Sequence, residues 1–203
     1  MEYVKINPAN LTEEEKAILA RLAEKSKTKE KLTTVKDGEI FKVAGIEFIK
    51  FSDIDGVTTA VAKDIIFESD FGKNNNLANM KIIKRLEKEF MPKITEEVGA
   101  ENIFDIETDL TTLDGVKTYG TITSKVSLPT LDFYRKHTEI FDKYKLDKWF
   151  WLATPWSALP HYESSCILCV SPLGDVYLNF YNFNFGVRPF LRFSSSIFVS
   201  NED

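Results

Sequence analysis

Apolar and polar positions alternate along this chain in two rhythms, and the change of rhythm marks its elements. Ile18, Leu19, Leu22 and Ala23 recur at helical spacing, and Thr12 with Glu15 three residues later forms a capping box, so a helix is predicted over 12–26. Lys25 to Lys36 is rich in Lys and Thr and reads as a linker, which makes 1–36 an N-terminal helical appendage and 38–198 the main domain. From Glu39 the period becomes two. Ile40, Phe41 and Val43 precede the turn Ala44-Gly45; Ile46, Phe48 and Ile49 follow; Asp53-Ile54-Asp55-Gly56 turns the chain again into Val57–Ala62, a hairpin or meander.

Asn74-Asn75-Asn76 breaks the strands and offers a cap for a helix over 77–90, with Leu77, Ile82, Ile83, Leu86 and Phe90 on its apolar face. Pro92 is expected to kink or restart that helix, and Gly99 to end it. Residues 100–124 read as loops with short strands. Ser127 is a candidate cap for a third helix with Pro129 in its first turn, and Leu131, Tyr134, Thr138 and Phe141 face inward. From Trp149 to Phe198 the chain is β-like and aromatic, with a hairpin at Gly174-Asp175. The predicted class is α+β, a mixed sheet with two flanking helices and an N-terminal helix.

Composition narrows the functions. Of 203 residues, 43% are hydrophobic and 28% charged, which fits a globular chain with a real core; the 16 Phe must pack inside or form a contact surface. The net charge of −5 argues against a nucleic-acid partner, which calls for a basic stripe. No apolar run reaches the ~20 residues of a membrane span. The opening residues lack the apolar region of a signal peptide, so a cytoplasmic protein is expected.

Few residues offer catalysis. Cys166 and Cys169 form a C-x-x-C inside an apolar run, where a strand sends their sulfurs to opposite faces; two buried small residues are the simpler reading, beside a metal site completed by His161 and His137. With two His in all, general-base chemistry has few candidates, and no cofactor or catalytic set is assigned. The better candidates concern binding. Tyr177, Tyr181, Phe183 and Phe185 share one parity in a strand read over 177–185, which is either core or a ligand surface reached by Tyr181, Asn182 and Asn184. The loop Trp156-Ser157-Ala158-Leu159-Pro160-His161-Tyr162 carries aromatic groups suited to anchoring a protein partner.

The order Phe150-Trp151-Leu152-Ala153-Thr154-Pro155, Cys166–Val170, Gly174-Asp175-Val176 and Gly186-Val187-Arg188-Pro189-Phe190-Leu191 resembles an uncharacterised bacterial and phage domain family with WWLR-S/T-P and G-V-R-P-A-L motifs. The likeness extends over about 38–195, and the chain departs from it at Ala153, at Phe190 and in the Gly-Asp order of the turn. It implies a C-type-lectin-like scaffold in which Trp151, Gly186, Arg188 and Pro189 are structural, Arg188 through a buried charge-assisted hydrogen bond. It also implies a non-enzymatic binding protein of a bacterium or phage, and the compact stand-alone length suggests, as a specific variant, an inhibitor of a host defence system. A phage structural or receptor-recognition component, and a thiol enzyme distantly like formylglycine-generating enzymes, are the alternatives.

Overall fold

A computed structural model describes residues 11–19, 29–78, 80–159 and 165–200. Strands outnumber helices, and the class is α+β as the patterning predicts. The first helix, α1, is described over 13–19, and the capping box at its start is formed: the Glu15 N–H donates to Thr12 Oγ1 at 3.3 Å and the Thr12 N–H to Glu15 Oε2 at 2.8 Å. Ile18 and Leu19 are exposed, and the rest of the predicted stripe, Leu22 and Ala23, lies outside the described residues.

Six strands make the first sheet: β1 (Lys29–Lys31), β2 (Ile40–Val43), β3 (Ile46–Ile54), β4 (Val57–Ala62), β12 (Phe190–Ser194) and β13 (Phe198–Ser200), in the order β1-β13-β2-β3-β4-β12. The predicted meander is present as β2-β3-β4. Both of its turns place two successive residues at positive φ, Ala44-Gly45 and Asp55-Gly56, the backbone that lets a tight hairpin follow the twist of its strands. The linker reading fails for 29–35. Lys29–Lys31 pairs with β13, and Leu32 and Val35 are buried in the core, so the Lys/Thr content marks a solvated edge with an apolar underside.

The second sheet has the order β10-β9-β8-β11-β5, from β5 (Phe67–Ser69), β8 (Phe150–Pro155), β9 (Cys166–Val170), β10 (Val176–Phe180) and β11 (Phe185–Val187). A small ribbon of β6 (Ile106–Asp109) and β7 (Thr121–Ser124) stands apart in the segment read as loops with short strands. The strand read over 177–185 is two strands. The chain turns at 181–184, where the Phe183 N–H bonds to the Phe180 carbonyl at 3.1 Å, and crosses over, so β10 and β11 flank opposite sides of the β8-β9 pair.

Helices cover both faces. Lys81–Arg85 (α2), a π-helical turn Leu86–Phe90 and Met91–Val98 (α3) run without a break. Pro92 lacks an N–H and its ring crowds the preceding turn; the widened turn just ahead accommodates it, so the helix is neither ended nor restarted there. Gly99, at φ 84°, ends it as predicted. The start is four residues later than the apolar pattern gave: Asn74 and Asn76 close short turns by accepting from the Asn76 and Ala78 N–H groups and do not cap the helix. On the other face lie α4 (Leu131–Lys136) and α5 (Thr138–Lys143). Thr130, not Ser127, caps α4, accepting from the Phe133 N–H; Ser127 is buried in a bridge to Phe190 and shares a hydrogen bond with Thr108. Thr138, expected inward, is exposed.

Alternate residues of the central strands serve two separate cores. Phe48 of β3, Trp151 of β8 and Ile167 of β9 pack with Ile82, Leu86 and Ile94 beneath α2–α3, whereas Ile49, Leu152 and Leu168 pack with Leu131, Tyr134 and Phe141 beneath α4–α5. Covered on both faces, β8 and β9 read as nearly continuous apolar runs. No helix among the described residues is long and apolar enough to cross a membrane.

Candidate functional site

The motif residues are framework. Arg188 is 1% exposed; its Nε donates to the Ala62 carbonyl at 3.0 Å and Nη2 to that of Lys63 at 2.9 Å, tying the end of β11 to the end of β4. Its guanidinium lies over the rings of Phe150 at 5.0 Å and Phe141 at 5.3 Å, and burial pushes its pKa down to about 10. The Trp151 indole donates to the Ser69 carbonyl at 2.9 Å, and the Pro189 carbonyl accepts from Ala62. Gly186 is required by close approach: a Cβ there would lie 2.3 Å from Ile65 Cδ1 and 3.0 Å from the Trp149 carbonyl oxygen.

Cys166 and Cys169 lie on β9, and both are buried. Burial raises both thiols, Cys169 to about 11 despite a hydrogen bond from Asn179, so neither is a ready thiolate at neutral pH. His137 packs against the Phe51 and Phe133 rings, and burial lowers its pKa, with the Lys136 charge adding to the effect and Asp37 opposing it. Among the described residues no group of His, Cys, Asp and Glu is placed to hold a metal ion.

The residues expected to bind a partner fall on two neighbouring segments. Trp156 is half-buried against the α4–α5 core. Ser157 is 1% exposed, and its hydroxyl accepts from the Leu159 N–H at 3.1 Å. A residue that sequence reasoning assigned only to a cap, Asn75, clamps the base of this loop: fully buried, its amide donates to the carbonyls of Ser157 at 2.7 Å and Cys166 at 2.8 Å, while the Tyr119 hydroxyl donates to its oxygen at 2.7 Å. His161 and Tyr162 lie outside the described residues. Tyr181 is half-buried against the α2–α3 core, and Asn182 and Asn184 are exposed on the turn after β10.

The larger feature beside them is β10 itself. Val176 is 37% exposed, Tyr177 50%, Leu178 44% and Phe180 41%, although β9 next to it is wholly buried. Position explains the difference, since β10 is the outer strand of its sheet. The Ser171 N–H donates to the Asp175 carbonyl and the Tyr181 N–H to that of Ser165, both at 2.9 Å. Antiparallel pairs alternate in bonding, so Tyr177 and Asn179 bond inward to β9 while Val176, Leu178 and Phe180 direct their backbone N–H and C=O groups outward.

The other edges of these two sheets are protected. Lys29–Lys31 is short and charged, with Lys29 paired to Glu97 at 2.6 Å. Phe67–Ser69 is equally short, with Glu68 paired to Lys148 at 2.7 Å and the Arg85 guanidinium over the Phe67 ring at 3.9 Å. The outer edge of β12 is occupied by bridges from Ile103 and Ser127. Only β10, of these four, combines length, neutrality and apolar exposure, the features that natural edge strands avoid unless another strand adds there.

Elsewhere a cleft of about 750 Å³ is lined by Lys73, Lys81, Lys84, Arg85 and Lys88 with Asp70, Glu89, Gly72 and Met80. Lys81 pairs with Asp70 and Arg85 with Glu89, which leaves a basic surface on an otherwise acidic chain. Comparison with family models, with curated proteins and with solved structures finds no match to this chain.

Proposed function

We propose that this is a non-enzymatic binding protein that takes a protein partner at the free edge of β10, with the exposed turn Asn182–Asn184 and the clamped loop after Trp156 beside it. The observation that carries the reading is the uncharged, half-exposed run Val176–Phe180 on an otherwise protected pair of sheets. A strand that adds there gains backbone hydrogen bonds, and the alternating side chains supply selectivity. Buried, protonated thiols in Cys166 and Cys169 weigh against thiol chemistry. The motif likeness of Phe150–Pro155 and Gly186–Leu191 supports a C-type-lectin-like scaffold and a bacterial or phage setting, in which a host defence component is a fitting target.

The test is affinity capture from bacterial lysate with wild type beside Leu178→Lys, followed by binding of the purified captured protein. The reading predicts one protein retained by wild type, weakened at least tenfold by Leu178→Lys, and bound directly. A partner captured equally by both proteins contradicts it.

A further inference from the structure

We infer that the strand added at β10 is β10 of a second copy, paired antiparallel about a two-fold axis at Leu178. This rests on the reading of that edge as an interaction surface, and it names the occupant. An edge strand paired with itself must be self-complementary, and β10 is. The outward groups of Val176, Leu178 and Phe180 have the spacing for it: Val176 meets Phe180 of the other copy, Leu178 meets Leu178, and each such pair exchanges both backbone hydrogen bonds.

The side chains agree with that register. Val176, Leu178 and Phe180 share one face, so their cross-strand neighbours are apolar on both sides. Tyr177 and Asn179 share the other and meet each other across the axis. No charge lies on the strand, and Asp175, just before it, faces Tyr181 of the other copy and not itself. Two chains of net charge −5 therefore meet without like charges in register. The same axis carries Leu173, 76% exposed in the β9-β10 turn, towards the end at which Phe183 of the other copy stands, 47% exposed. That apolar strip is narrow for a specific interface, so the dimer is expected to dissociate on dilution.

Sedimentation and light scattering over a dilution series of the full chain read this directly. Wild type is expected to double its monomer mass at the highest concentrations and to return to monomer on dilution. Leu178→Lys, which places two ammonium groups on the axis, should remain monomeric throughout while keeping the wild-type melting curve. Leu178→Cys should crosslink to a dimer with a mild thiol oxidant, and Leu173→Cys should not, because its copies lie far apart across the axis. A wild type that is monomeric at every concentration, a Leu178→Lys dimer, or a Leu178→Cys that fails to crosslink overturns the proposal. If wild type is monomeric and lysate capture still depends on Leu178, self-pairing fails and the binding reading survives. A dimer lost in Leu178→Lys beside a lysate partner retained by that variant supports self-pairing and moves the heterologous site elsewhere.

Discussion

Arg188 joins two strand ends by reaching two backbone carbonyls at once from beside two aromatic rings. A lysine offers one ammonium and no planar fork, so Arg188→Lys leaves a buried carbonyl without its donor. The expected loss is about 2–4 kcal/mol in denaturant unfolding; a loss below that range would mean the site relaxes around the change. His137 gives a pH signature. Its folded pKa lies below the ordinary value, so the unfolded chain binds the proton more readily; the contribution is full above the unfolded value of about 6.5 and is lost as pH falls from there through the lower folded value. Melting temperature should therefore drop between pH 7.5 and 5.5 more in wild type than in His137→Phe. Asp53 acts lower in the scale. Burial raises its carboxyl, but hydrogen bonds from Ser195 and Lys50, the Lys50 charge and a hydrogen bond from Thr33 outweigh that and hold it below its ordinary value, so its contribution disappears only in more acidic solution.

At the scale of elements, β9 and β10 show what a sequence conceals. Cys-Ile-Leu-Cys-Val and Val-Tyr-Leu-Asn-Phe are both apolar with strand propensity, yet one is central and buried and the other lies at the edge and is half exposed. The order of strands within a sheet is a long-range property that local patterning does not carry. The meander was legible because Ala44-Gly45 and Asp55-Gly56 are local signals for its turns, and the α2–α3 face was legible from its spacing. The strand read over 177–185 was not, because the residues of the turn at 181–184 continue the aromatic alternation. Asn75 was invisible as a clamp for a similar reason: its partners at Ser157, Cys166 and Tyr119 are distant in sequence. Asn75→Ala should cost about 2 kcal/mol by leaving buried carbonyls without donors. It should also speed amide exchange at the base of the loop around Ser157 and Cys166; unchanged exchange there would show that the loop base is held by other contacts.

The whole molecule places its chemistry on its rims. Both sheets are covered by helices, the Cys pair is buried, and the structural motifs Trp151, Gly186, Arg188 and Pro189 lie inside the framework. Among the described residues, the edge of β10 and, elsewhere, the basic cleft around Lys84 face solvent. The central claim is that β10 is where another chain adds. Residue-resolved amide exchange measures it most directly, comparing dilute free protein with the associated state, whether self-paired or bound to a captured partner. Tyr177 and Asn179, bonded to β9, should be slow in both states, and Val176, Leu178 and Phe180 should be fast when free and slowed at least tenfold on association. Association that leaves those three amides fast would place the binding surface elsewhere and contradict the account.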